Sequence, residues 1–293
     1  MIDRLGADTI LAALSAGRTI QSNAPGDEAA GIIGRRIEYH ARIGSTNDRA
    51  RELGASGEPE GTVVVADEQT RGRGRADRAW HSPSGLGLYM SVLLRPEAHA
   101  AEAPIFGLMG AVAAATGLAE EAPESIRIKW PNDLIAQIPG DGRRKVAGIL
   151  SEARTSIDSI RDVVIGFGVN VNHQASDFPH EIASKAVSLS LLTGGPCDRV
   201  AVAAAILTAF DTWYTLWRRS GDPPVLQAYR NLALDLTGRR VRVAGAPRRP
   251  GDGLAWTGTT DGLTPAGALR VIPEAGGEVV EVLYGEVSRV EEA

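Results

Sequence analysis

The 293-residue sequence is short of several residue types and features, and each shortage excludes something. It has a single cysteine, Cys197, so neither an intramolecular disulfide framework nor a cysteine-cluster zinc site can form, and a reducing cytoplasm is the expected compartment. No apolar run reads as long as the ~18–20 residues that a membrane span needs. Met1-Ile2-Asp3-Arg4 places an acidic side chain where a secretory leader carries a basic region and an apolar core. An excess of positive charge is also missing. The 31 basic and 36 acidic side chains leave a formal −5, which argues against a dedicated nucleic-acid binder. At 43% hydrophobic the chain has the make-up of a soluble globule with a sizeable core.

Lysine is the most informative shortage. Of 31 basic residues 28 are arginine, and only Lys129, Lys145 and Lys185 are lysine. A general bias toward arginine explains the ratio but not which lysines remain. Arginine cannot replace lysine where a compact ammonium must fit a small space, so these three positions mark where to look.

Along the chain, residues 1–34 hold one amphipathic helix (Ile10, Leu11, Leu14) and a Gly/Pro/Ala/Asp-rich stretch, too little for a helix-turn-helix domain. Strands are expected at Arg36–Ile43, Thr62–Ala66, Leu86–Leu94, Ile126–Trp130, Lys145–Glu152 and Asp162–Val171. Helices are expected from Asp48 to Leu53 (with Ser45 or Thr46 as N-cap), Pro104 to Glu121, Arg199 to Arg218 and Pro224 to Leu232. After Leu236, short strands (Arg240–Ala244, Leu254–Thr259, Leu269–Ile272, Val279–Tyr284) alternate with Gly/Pro turns, the pattern of a small β-barrel. The pattern gives an α+β fold with a mixed or antiparallel sheet and packed helices, divided into an extension (1–34), a main domain (35–235) and a small C-terminal barrel (236–293).

Four segments carry chemistry. Arg71-Gly72-Arg73-Gly74-Arg75-Ala76-Asp77-Arg78 concentrates positive charge in a glycine-rich loop, and guanidinium groups match phosphate oxygens. A solvated loop or an RNA-binding Arg/Gly segment has the same composition. Lys129-Trp130-Pro131-Asn132-Asp133 ends a strand with an amide and a carboxylate at its edge. Lys145-Val146-Ala147-Gly148-Ile149-Leu150 places a lysine where Arg143 and Arg144 show that arginine was available. Gly166-Phe167-Gly168-Val169-Asn170 is a strand with two glycines, readable also as a kink with a satisfied Asn. The five histidines show no metal-ligand spacing, and neither Ser91 nor Cys197 has a motif to activate it as a nucleophile.

In order, and together with Ser45-Thr46-Asn47 and with Gln69 and Trp80 flanking the loop, these segments resemble the biotin–protein ligase family over about residues 36–290. The resemblance implies a catalytic domain like that of class II aminoacyl-tRNA synthetases, followed by an SH3-like barrel. It implies formation of biotinyl-5′-AMP from biotin and MgATP, then transfer of biotin to a lysine of a biotin carboxyl carrier domain. For this sequence it implies biotin contacts from Ser45, Thr46, Asn47, Gln69, Gly72, Arg73, Gly74, Arg75, Lys145 and Gly148. Arg73, Arg75, Trp80, Lys129, Asn132 and Asn170 would bind the nucleotide. Lys145 and Arg75 would act in catalysis, with Asp133 orienting the carrier lysine unless it is simply the ion-pair partner of Lys129. The implied enzyme is cytoplasmic, a monomer or homodimer, with no DNA or membrane partner, and its metal ligands are left open. A lipoate–protein ligase and a non-catalytic biotin or nucleotide sensor are the alternatives. Ala76-Asp77 departs from the small and basic pair that the family places after its Gly-Arg-Gly-Arg core.

Overall fold

In this computed structural model, the residues described are 5–21, 31–76, 78–119, 126–138, 140, 142–246, 255–283 and 285–290. An eight-stranded mixed sheet organises the larger part. Its strands are β1 (Arg36–His40), β2 (Thr62–Ala66), β3 (Gly87–Leu94), β4 (Ile126–Lys129), β5 (Asp133–Ile138), β6 (Gly142–Thr155), β7 (Ile160–Asn170) and β8 (Ala233–Leu234). Their spatial order is β1-β2-β3-β7-β6-β5-β4-β8. β1 is parallel to β2 and β4 to β8, and the other neighbours are antiparallel. The helices are α1 (Ala7–Gln21), α2 (Thr46–Ala55), α3 (Ala103–Leu118), α4 (His180–Ala183), α5 (Leu189–Thr193), α6 (Arg199–Ser220) and α7 (Pro223–Leu232).

The two-residue period of the strands assigns the faces. Val63, Val65, Met90, Val92, Ile149, Ile165 and Phe167 belong to the large core with residues of α1, α3, α6 and α7. Val64, Leu93 and Val164 point the other way and meet Ala50 and Leu53 of α2. The glycines of the Ala/Gly-rich α3 allow the close packing expected of them, since a Cβ on Gly110 would lie 2.9 Å from Ile165 and 3.0 Å from Ile149.

One expectation is corrected. Ala100–Leu118 and Arg199–Ser220 are long and apolar enough, by length and composition, to cross a membrane. Small residues hid this in the sequence, because alanine and glycine add apolar character without a visible run of large side chains. Of the most apolar window of each, 67% and 44% is buried inside the protein, as core helices require.

A second, curled antiparallel sheet follows: β9 (Thr237–Ala244), β10 (Ala255–Leu263), β11 (Leu269–Pro273), β12 (Val280–Val282) and β13 (Glu286–Arg289), in the order β12-β11-β10-β9-β13. It docks through the turn after β10. Gly267, at φ +81°, lies where a Cβ would be 2.4 Å from Leu108 of α3, and its carbonyl accepts from Trp130 Nε1 at 3.3 Å. Three strands escaped the sequence reading, β5, β8 and β13. All are short, β8 only two residues long, and polar neighbours mask the alternation of β5 and β13.

Arg199, at the start of α6, is 4% exposed. It donates to Asp67 at 2.7 Å and to the Gly87 carbonyl at 3.2 Å. Arg199→Met should cost about 3–4 kcal/mol, because it leaves the Asp67 carboxylate half-buried without its cation. A urea titration checks this, and a loss of less than about 1 kcal/mol would show that the pair is no more than a surface ion pair.

Candidate active site

The α2 face of the large sheet carries the glycines that the sequence singled out. β7 runs unbroken through Gly166 and Gly168, so these are close-approach positions and not a kink. A Cβ at Gly166 would lie 2.0 Å from Asn47 Oδ1, and one at Gly168 would lie 2.6 Å from the Trp80 indole. Gly148 on β6 completes the floor, where a Cβ would be 3.0 Å from both Lys145 Nζ and Trp80.

At one end, Ser45 caps α2 and accepts from the Asp48 N–H at 3.5 Å. Gln69 Oε1 accepts from the Thr46 N–H at 2.8 Å and from its hydroxyl at 3.0 Å. The Ser91 hydroxyl lies 2.8 Å from Thr46 Oγ1 and 2.6 Å from Asn47 Oδ1. Ser91 is thus fully buried in a polar network and not a nucleophile. Ser45, Thr46 and Asn47 are each under 5% exposed, so their hydrogen-bond geometry is fixed before any ligand arrives.

In the middle, Lys145 Nζ pairs with Asp133 Oδ1 at 2.5 Å and stands 5.0 Å over the Trp80 ring. Asp133 is therefore the partner of Lys145, although it faces Lys129 across the β4–β5 hairpin. Asn132 Nδ2 donates to the Ile149 carbonyl at 2.5 Å, and its Oδ1 accepts from Arg75 at 3.2 Å. Burial, opposed by the Asp133 carboxylate, lowers the pKa of Arg75 from its ordinary value. Asn170 Nδ2 donates to the carbonyls of Lys145 and Val187, tying the segment around Lys185 to β6. β5 and β6 pair from Asp133↔Gly148 to Ile138↔Gly142 with one shift, between Leu134 and Ile135, and both ends of the glycine-rich turn stay in the ladder. Pro139 and Asp141 of that turn, and Asp77 of the loop, lie outside the described residues. Ala76 takes a left-handed φ of +53°.

These residues line one cavity of about 1490 Å³ between the two sheets, larger than the ~300–1000 Å³ of most single-ligand pockets. Of the residues expected in the site, Gly72 alone is not in the lining. It is a close-packed loop position where a Cβ would be 2.6 Å from both Ser82 Oγ and the Trp80 carbonyl. Nine basic and three acidic side chains line the cavity in a chain of net −5, so the cavity attracts an anion. Two donors in the lining, Arg73 Nε and Trp80 Nε1, are buried without an acceptor, and an acceptor on a ligand would complete them.

Sequence reasoning missed several participants. Lys185, read as a plain surface residue, is exposed but lines the cavity, and its carbonyl accepts from the Lys145 N–H at 2.7 Å. Arg239, Arg240 and Glu286 bring the second sheet to the rim, and Glu286 pairs with Arg78 of the loop at 3.2 Å. Glu152 was detectable in principle, because it continues the same strand face as Gly148 and Leu150.

The comparisons with known proteins meet this geometry. A model of the biotin/lipoate A/B protein ligase family matches residues 39–170. The biotin–[acetyl-CoA-carboxylase] ligase of Mycobacterium tuberculosis is 31% identical, over 88% of this chain and 90% of its own length. The chain belongs to the biotin protein ligase family. The bifunctional ligase/repressor BirA of Bacillus subtilis is 41% identical over 72% of this chain, which spans 64% of that relative's length. Among solved biotin protein ligases, that of Aquifex aeolicus in complex with biotin and ATP superposes with a TM-score of 0.70 at 30% identity. It covers 87% of this chain and all of its own.

Beside the biotin ligase motifs, His173 is fully buried, stacked on Phe178 at 5.0 Å and 6.0 Å from His81. Neither of its ring nitrogens has a hydrogen-bond partner. Burial, aided by His81, pushes its pKa down to about 4. The folded value lies below the unfolded one, so the unfolded chain binds more protons between about pH 4 and 6.5. Stability from this group is complete above about pH 6.5 and is lost as pH falls toward 4, by roughly 3 kcal/mol. His173→Leu should remove that part of the pH dependence in urea titrations. Parallel pH profiles for the two proteins would contradict it.

Proposed function

We propose that this chain is an ATP-dependent biotin protein ligase. The observation that carries this reading is the Lys145–Asp133 pair, set over Trp80 in one cavity with the Ser45–Gln69 network and the Arg75–Asn132 contact. A cavity lined at one end by hydroxyl and amide groups, with Arg73 beside Asn47, and cationic at the centre suits a molecule with a ureido head and a carboxylate tail, which then meets a phosphate.

In the first step, a biotin carboxylate oxygen attacks the α-phosphorus of ATP, the α–β bridging bond breaks, and pyrophosphate leaves. Both reactants are anions, so the barrier is lowered chiefly by neutralising charge and fixing approach. Lys145 and Arg75 supply the positive charge, Arg73 helps to hold biotin beside them, and Asn132 aims Arg75. Ser45, Thr46, Asn47 and Gln69 hold the ureido end, and Gly148 leaves room for the chain of biotin. Trp80, Lys129, Asn132 and Asn170 border the nucleotide. Magnesium enters with the substrate as MgATP. Among the described residues no three His, Cys, Asp or Glu side chains stand together, a donor set that leaves the ion to phosphate oxygens and water.

In the second step, an amine of the acceptor attacks the biotinyl carbonyl, AMP departs, and the nitrogen loses a proton. Asp133 faces this point and orients the amine. The acceptor is a lysine of a biotin carboxyl carrier domain of a carboxylase. This assignment gives the chain a protein partner rather than DNA or a membrane, supported by its net charge of −5. We place the reaction in the cytoplasm and take residues 35–235 and 236–293 as its two units.

Incubation with biotin, MgATP and an isolated carrier domain tests this. The carrier should gain the mass of one biotinyl group at one lysine. An unmodified carrier at saturating substrates would contradict the assignment.

A further inference from the structure

We propose that Glu152 is a positioning residue of this reaction, aiming Arg73 and Asn47 into the biotin end of the cavity; the inference rests on the ligase reading above. Glu152 Oε2 lies 2.7 Å from Arg73 Nη2 and accepts from Asn47 Nδ2 at 2.8 Å. Asp48 Oδ1 holds the same Arg73 Nη2 at 2.8 Å. Arg51 balances the two carboxylates, at 3.8 Å from Glu152 and 3.7 Å from Asp48.

Arg73 and Asn47 line the cavity, whereas Glu152 and Asp48 do not. Glu152 therefore acts on a ligand only through the groups it holds. Its grip is one-sided. The guanidinium is pinned through Nη2 alone, while the neighbouring Nε is buried without an acceptor. Asn47 is fixed at both ends, with Oδ1 facing the Ser91 hydroxyl and Nδ2 donating to Glu152 and, at 3.4 Å, to the Leu150 carbonyl. An arginine in a glycine-rich loop would otherwise sample many rotamers, and ordering it on binding would weaken affinity. One carboxylate on a rigid strand removes that cost for two ligand-facing groups.

Glu152→Gln keeps the shape and removes the charge. The KM for biotin should rise about tenfold, while kcat and the KM for ATP stay within about threefold, the signature of lost substrate positioning. In an Arg73→Met background the same change should add less than about twofold, because the group it acts through is gone. A biotin KM within about twofold of wild type, or a full tenfold effect in the Arg73→Met background, would overturn the proposal. If Glu152→Gln melts much earlier than wild type, Asp48→Asn carries the test from the half-buried first turn of α2, with an expected rise of about threefold in biotin KM. No rise there would overturn it equally. Wild-type protein without biotin-dependent activity would defeat the ligase reading itself. Active wild type with an unaffected Glu152→Gln would defeat only this inference.

Discussion

Lys145→Ala should lower biotin-dependent adenylate formation by about a thousandfold, the scale seen when a preorganised charge at a developing anion is removed. Folding should be preserved. The N–H and carbonyl of Lys145 hold the Lys185–Val187 segment, and alanine keeps both, while the side chain is 30% exposed. Lys145→Arg sharpens the point. It keeps the charge, yet the space is tight: Asp133 lies 2.5 Å from Nζ, and a Cβ at Gly148 would lie 3.0 Å from it. A planar guanidinium should fit poorly and lose at least about tenfold. Single-turnover measurement of adenylate checks both variants, and near-wild-type rates in Lys145→Ala would remove Lys145 from the reaction.

Arg75→Ala should shorten the lifetime of bound adenylate by about 10- to 100-fold, the equivalent of one charge-assisted hydrogen bond of roughly 1.5–3 kcal/mol. Arg75 sits in the loop and touches the rest of the site through Asn132 at 3.2 Å. The loop is fastened elsewhere by Arg78 to Glu286 and by Arg73 to Glu152 and Asp48. Its conformation should therefore survive the substitution, and the effect should appear in ligand release, not in the thermal midpoint. A stopped-flow chase of prebound adenylate reads it directly, and an unchanged release rate would show that Arg75 does not contact the intermediate.

Local chemistry was legible in the sequence where one physical cause dominated. The β-branched run Thr62–Ala66 is β2 to the residue, and Ser45 caps α2 as its position before the helix implied. Two of the three lysines head segments that converge in the cavity, as their survival against an arginine bias suggested. Juxtaposition was not legible. The pairing of Asp133 with Lys145 depends on the β5–β6 register, which shifts between Leu134 and Ile135. Nothing in the local pattern announces such a shift. The approach of Glu152 to Arg73 depends on β6 lying beside β7, on which α2 packs, and the Arg78–Glu286 contact on how the second sheet docks. The glycines of β7 were ambiguous for a similar reason: a kink and a close approach require the same residue, and only the position of Trp80 and Asn47 against the strand separates them.

The central claim is that one cavity activates biotin with ATP, and biotin-dependent exchange of labelled pyrophosphate into ATP tests it most directly, with lipoate as the parallel substrate. The account predicts exchange with biotin, negligible exchange with lipoate, and none with biotin in Lys145→Ala. Exchange supported by lipoate but not by biotin, or by neither, would contradict it.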